Sequence, residues 1–273
     1  MVDNRIGMKE IQIAELRELQ MQILDYVDAF CRKHDIKYTI SGGTLLGAVR
    51  HGGYIPWDDD MDIQMLRAEY ERFTELWNKE KPNHGYFELV NIESGNNMGY
   101  PFGKVHDTRT VTYIDAIERT GVFIDIFPVD GVRDIKDWTF RHSKIKALYH
   151  KRSLIFGKLK SENNRISIKK RLYLFLFAPH QSYQQIAVEI DNIAKSPNDI
   201  IYPYVFELIS GMKCKYPIPG RVFQHYCDIE FENRHYMSVE DYDTYLKATF
   251  DDYMSPPPIE KQQKQHLFRP FWK

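Results

Sequence analysis

The stretch SGGTLLGAVRHGGYIPWDDDMDIQM, Ser41 to Met65, crowds glycines, an arginine, a histidine and four aspartates between two apolar runs. Its reading decides the fold. The preceding IKYTI, Ile36 to Ile40, is β-branched and aromatic and predicts a strand that ends at Gly42-Gly43. Thr44 to Arg50 then reads as a short helix, GGYIPW as a second turn, and DMDIQM as a strand alternating acidic and apolar residues. Alternate residues of a strand share a face, so Asp60 and Asp62 point the same way. A D-x-D pair alone is common in acidic loops; the alternation into Ile63 and Met65 is what makes this one a strand face.

Downstream, GVFIDIF places Asp125 between Ile124 and Ile126. A carboxylate inside so apolar a run is costly to bury unless it meets a cation or faces an open cleft. Two same-facing carboxylates and a third on another strand make a hard-oxygen site suited to Mg²⁺ or Mn²⁺. Glycines at a helix start let backbone N–H groups approach a phosphate, whose charge the helix dipole favours. Arg50, one short helix further on, offers a bidentate fork to phosphate oxygens. His51 beside it reads as a surface residue.

The chain has 273 residues, 43% of them hydrophobic, enough for one large domain or a domain with an appendage. A net charge of -1 makes nucleic acid an unexpected partner. The charge is unevenly spread. Between Arg141 and Tyr173 eleven Lys/Arg stand against the single acid Glu162, a balance of +10 that leaves -11 for the remainder. Cys31, Cys214 and Cys227 are too few and scattered for a disulfide framework. MVDNRIGMKEIQIAEL is acidic and polar where a signal peptide needs a basic start and an apolar core, and the longest apolar run, LYLFLFA from Leu172, is too short to span a bilayer. A cytoplasmic protein is expected.

Leu16, Leu19, Ile23, Val27 and Phe30 predict a helix over roughly Lys9 to His34, and Tyr70, Phe73, Leu76 and Trp77 a second. YFELVNI, YPFGKVH and TVTYI read as strands beside GVFIDIF. From Asp137 to about Ala194 the pattern turns helical; Ser238 with Asp241 resembles a helix start for VEDYDTYLKATF, which the prolines of SPPPIEKQQKQH end. The expected architecture is an α/β (α+β) fold with a mixed sheet, a catalytic core over 1–135 and a mostly helical region over 136–273 packing on it.

Ser41 to Met65, with GKVHDTRT at 103–110, FIDIFPVDG at 123–131 and FENRHYMSVEDYDTYL…DDYMSPPP, resembles the LicD family of phosphocholine transferases, to which fukutin-type transferases are related. The resemblance implies a nucleotidyltransferase-type fold around Mg²⁺ (or Mn²⁺) and a nucleotide diphosphate. Gly42, Gly43 and Thr44 match the phosphate turn, Asp60 and Asp62 the metal pair, and Asp125 the third acid, either a metal ligand or the base for the incoming hydroxyl. Asp251 stands where relatives often carry glycine, and Ser238-Val239 where a proline is expected.

The implied chemistry is attack of a glycan hydroxyl on the choline-side phosphorus of CDP-choline or another CDP-alcohol, releasing CMP, in lipopolysaccharide, teichoic acid or capsule synthesis. Arg50 and Lys104 are assigned to the remaining phosphate charge. Choline, with no N–H to donate, calls for aromatic faces, Trp57 first and Tyr100 and Tyr113 after it. The basic segment reads as a solvated face or as a peripheral contact with the inner face of a membrane carrying a lipid-linked acceptor. Two rivals use the same residues: a nucleotidyltransferase attaching NMP to a small acceptor, and a non-catalytic glycan- or choline-binding module, which has no need of three metal acids. Gln64, standing where a D-x-D-x-T phosphatase needs threonine, disfavours that class. Cys214, His225, Cys227 and His235 offer zinc-type ligands at spacings that fit no compact motif.

Overall fold

A computed structural model describes residues 7–81, 84–94, 100–114, 117–118, 120–163, 180–198, 201–210, 216–263 and 268–273, with the side chains of 114, 117–118 and 156–163 outside the description. The first helix, α1 (Ile13–Lys33), buries the predicted stripe of Leu16, Leu19, Ile23, Val27 and Phe30. It starts later than the periodicity predicts because Glu10 bridges Phe271 and the Ile11 N–H donates to Pro270 O at 2.9 Å, which hold the lead-in extended.

Then come β1 (Thr39–Ile40), α2 (Gly42–His51), β2 (Asp62–Leu66) and α3 (Arg67–Lys79). Strands β3 (Phe87–Val90), β4 (Gly103–Asp107), β5 (Thr110–Ile114), β6 (Ile117–Glu118) and β7 (Phe123–Val132) follow. The main sheet has the order β1-β2-β7-β4-β3, with β2 and β7 parallel and the other pairs antiparallel. The mixed sheet is as the pattern predicts. Strand β7, its axis, carries a nearly continuous buried run, as a strand covered on both faces must.

After β7 the chain forms α4 (Ile135–Asn163), α5 (Tyr183–Ala194), β8 (Tyr204–Phe206), β9 (Ile218–Pro219), β10 (Tyr226–Phe231), β11 (Arg234–Val239), α6 (Tyr242–Phe250) and β12 (Phe268–Trp272). Among the described residues, the helices of this half are thus joined by five strands that its pattern does not announce. Sheet pairing crosses the expected boundary at 135: β8 adds to the far end of β7, and β12 pairs with β5. The main core crosses it too, taking Tyr236, Val239, Tyr245, Leu246 and Phe268 beside Ile23, Ile63 and Ile124. Ser238 is no helix start. It lies on β11, fully buried, and α6 is capped by Asp241, whose carboxylate accepts from Thr244 N–H at 3.2 Å.

In the basic segment, Arg141 is turned inward, donating to Ala194 O at 2.9 Å and to Asp137 Oδ2 at 3.1 Å. Arg152 lies over the rings of Tyr100, Tyr149 and Tyr183. Lys144, Lys146 and Lys151 are exposed, while Lys169 to Arg171 and the run LYLFLFA lie outside the described residues. Among the described residues no helix is long and apolar enough to cross a membrane.

Candidate active site

The acids meet through strand register. On the parallel pair β2–β7, Asp62 stands opposite Asp125, and on the antiparallel pair β4–β7, Lys104 stands opposite Asp125, so the three side chains share one face of the sheet. That face opens into a cleft of 640 Å³. Gly42, Gly43, Arg50, Trp57, Asp60, Asp62 and Asp125 line it, which brings together most of the residues singled out in the sequence.

The glycine pair has an immediate structural reason. Gly42 has φ +53°, and a Cβ there would stand 3.2 Å from Asp62 Oδ2; a Cβ on Gly43 would collide with Asp58 Oδ2. The glycines let two carboxylates lie against the first turn of α2, where the helix dipole favours negative charge. Ser41 N–H donates to Asp62 O, and Asp62 N–H donates to Thr44 Oγ1, both at 2.9 Å. Thr44 therefore holds the acid strand from behind and does not line the cleft.

Burial first, then the neighbouring charges of Asp60, Asp125, Glu207 and Asp58, hold the Asp62 carboxyl well above the usual carboxylate range. So many acids around one oxygen set are relieved by a cation. The oxygens of Asp58, Asp59 and Asp60 also approach within 4.8 Å of one another. The donor set is all carboxylate and open to a cleft with room for water and phosphate, which fits Mg²⁺ or Mn²⁺.

Two assigned cations behave differently from each other. Arg50 lines the cleft, its guanidinium oriented by donation to Tyr253 O at 2.7 Å. Lys104 is buried, donates to Asp125 Oδ1, and sits over the Phe123 ring at 3.7 Å; it is not part of the cleft lining. Its geometry makes it a partner of Asp125 and not a direct phosphate contact. Trp57 is half-buried, edge-on to His51 at 6.3 Å, whose pKa burial and Arg50 lower. Tyr100 and Tyr113 are elsewhere: the first lies beside Lys104, the second is buried against Phe271.

Pattern reading missed several contributors. Phe127, Phe250, Asp252 and Tyr253 complete the cleft wall, the last three from the end of α6 and the turn after it. From α1, Arg17 Nη2 reaches three carbonyls of the acidic loop, Ile55 O at 3.0 Å, Pro56 O at 3.1 Å and Asp58 O at 2.8 Å, while Gln20 Nε2 donates to Asp59 O at 3.0 Å. Glu207, buried after β8, was equally unseen, although it interrupts the apolar YVFELI as Asp125 interrupts its own run. As for zinc, Cys214 lies outside the described residues, and register places Cys227 and His235 on opposite faces of the β10–β11 hairpin. Among the described residues they form no ligand cluster.

Sequence comparisons give the chain its relatives. Residues 35–167 match the family model described as LicD/FKTN/FKRP, nucleotidyltransferase domain. The lipopolysaccharide cholinephosphotransferase LicD of Haemophilus influenzae is 32% identical over 95% of this chain and 98% of its own. This chain belongs to the LicD family. Human ribitol 5-phosphate transferase FKRP is 47% identical over 38 residues, 14% of this LicD-family chain and 8% of its own length.

Proposed function

We propose that this LicD-family protein transfers phosphocholine, or a similar phospho-alcohol, from a CDP-linked donor to a hydroxyl of a cell-surface glycan precursor and releases CMP. The observation that carries the reading is the register pairing of Asp62 with Asp125 beside the glycine start of α2, in a cleft large enough for a nucleotide diphosphate. The choice of donor and acceptor leans on the named activity of the Haemophilus relative. Asp60 and Asp62 would hold a divalent cation, which would supply charge neutralisation for a bound diphosphate. Arg50 offsets the remaining negative charge from the cleft wall, and the N-terminal dipole of α2, whose Gly42 N–H is held by Tyr245, favours phosphate there.

Displacement at phosphorus asks the protein for positioning more than covalent work. The acceptor oxygen forms its bond to the choline-side phosphorus as the bond to the CMP oxygen breaks, and Asp125 takes the hydroxyl proton. Trp57, Phe250 and Tyr253, with Asp252 nearby, supply the aromatic and acidic surroundings that a quaternary ammonium requires. The protein acts in the cytoplasm, on an acceptor carried at the inner membrane face.

The test is metal-dependent CMP release from CDP-choline, CDP-ethanolamine, CDP-glycerol and CDP-ribitol with a glycan acceptor. Release of pyrophosphate from an NTP, with every CDP-alcohol inert, would establish the nucleotidyltransferase alternative. Binding without turnover of either donor class would leave a glycan- or choline-binding module.

A further inference from the structure

Behind the cleft lies a small recess of 20 Å³, bordered by Gly42, Asp62, Gln64, Glu207 and Tyr245 among others. Four hydrogen bonds run along it. Gly42 N–H donates to the Tyr245 hydroxyl at 3.3 Å, and that hydroxyl donates to Gln64 Oε1 at 3.0 Å. Gln64 Nε2 donates to Glu207 Oε2 at 3.2 Å, and Ser210 N–H donates to Glu207 Oε1 at 3.1 Å. A tyrosine hydroxyl carries one hydrogen; since its oxygen receives Gly42 N–H, that hydrogen goes to Gln64 and turns the amide nitrogen toward Glu207. Both ends of the chain of bonds, Gly42 and Ser210, line the 640 Å³ cleft.

We infer that Glu207 is a positioning residue for the transfer reaction, the anchor of a Glu207–Gln64–Tyr245 strut that holds the Gly42 turn and the Ser210 loop at a fixed spacing across the cleft. The inference rests on the transferase reading above. A carboxyl here is costly: it is buried, near Asp62 and Asp125, and burial first of all pushes its pKa up to about 7. The hydrogen bonds explain why an acid is kept. Position 207 faces the N–H donors of Gln64 and Ser210, with the Ser210 hydroxyl beside the latter, and only a carboxylate accepts on both oxygens. Glutamine in its place would leave one donor facing another, which loosens the strut at one end.

That logic can be tested by exchanging the two groups. Glu207→Gln alone breaks one bond, whereas the double variant Gln64→Glu with Glu207→Gln restores all four: the carboxylate now on β2 accepts from Tyr245 and from the new amide, whose oxygen accepts from Ser210. With the CDP-alcohol that turns over in the screen above, Glu207→Gln should lower kcat by about 30-fold with KM changed less than about threefold, as expected of misplacement without lost binding. The Gly42 amide should exchange about tenfold faster with deuterium, and the double variant should bring both readouts back to within about threefold of the unmodified protein. Tyr245→Phe, which cuts the strut at its other end, should speed Gly42 exchange as well, and serves if Glu207→Gln does not fold. A double variant no better than the single one, or Gly42 exchange unmoved in either single variant, overturns the strut. If the unmodified protein turns over no CDP-alcohol, the transferase reading fails separately, and amide exchange and its rescue by the double variant still decide the strut.

Discussion

The two ends of the β2–β7 pair follow opposite electrostatic rules. At one end Asp62 faces Asp125, and Asp58, Asp60 and Glu207 add to the same field. Just past the other end, Arg67 grips Asp130 with two bonds, Nε to Oδ1 at 2.9 Å and Nη2 to Oδ2 at 2.6 Å, and reaches Asp191 at 2.8 Å. Asp130 also accepts from Ser196 N–H at 3.0 Å. Unlike charges paired in the interior pin the start of α3, β7 and α5 together; at the cleft like charges crowd around Asp62, with Lys104 on Asp125. The same two strands thus carry a structural joint and the candidate site.

The largest effect should come from the crowded end. Asp62→Asn should reduce transfer by roughly a thousandfold or more, on the order of 4 kcal/mol, while the melting temperature of the metal-free protein holds or rises as repulsion is relieved. CMP release and calorimetry on one preparation check both halves; a large loss of stability would mean that Asp62 is a structural acid like Asp130. At the paired end the signs reverse. Arg67→Met should cost about 3 kcal/mol of stability by leaving Asp130 buried without its cation, as measured by urea unfolding, with the remaining folded protein active.

A smaller effect concerns pH. Glu207 has its carboxyl pushed up to about 7 from 4.5, so between these values the folded protein binds more protons than the unfolded chain, and stability must fall as pH rises through this window. The metal-free protein should lose on the order of 3 kcal/mol between about pH 4.5 and 7.5 relative to Glu207→Gln, whose profile lacks this component. Asp62, also raised, acts in the same direction, and Mg²⁺ should remove its share. Unfolding midpoints at several pH values, with and without Mg²⁺, give the comparison.

The smallest effect lies on the cleft rim. Asp251 has φ 69° and ψ -111°, a conformation glycine adopts freely and an L side chain does not. Glycine would sit at this position without strain. Asp251→Gly should raise stability by about 1 kcal/mol with little change in transfer, readable as a small upward shift of the melting temperature. A loss of stability would show that the carboxylate contributes more than the backbone strain removes.

Much of the centre was legible because it is local. One run, Ser41 to Met65, carries the glycine turn, Arg50, Trp57 and two of the acids; strand alternation predicts Asp60 and Asp62 on one face, but β2 begins at Asp62 and Asp60 reaches the cleft from the loop before it. Asp125 was found by the cost of an isolated carboxylate in an apolar strand, and the same argument applied to YVFELI would have found Glu207. The first half of the fold is predictable for the same reason: its helices and strands repeat with clear periods.

What only the tertiary structure decided depends on register and on distant partners. Nothing within a strand says which neighbour it pairs with, so the opposition of Asp62, Asp125 and Lys104, and with it the commitment of Lys104 to a carboxylate, follows from the sheet order. The strands of the second half are short and lean on β7 and β5 for their pairing, so their own sequence carries little periodic signal. Arg17 and Gln20 hold the acidic loop from a helix some 40 residues earlier, and Tyr245 meets Gln64 across 181. A sequence records which groups are able to donate or accept; only folding brings a particular donor within 3 Å of a particular acceptor.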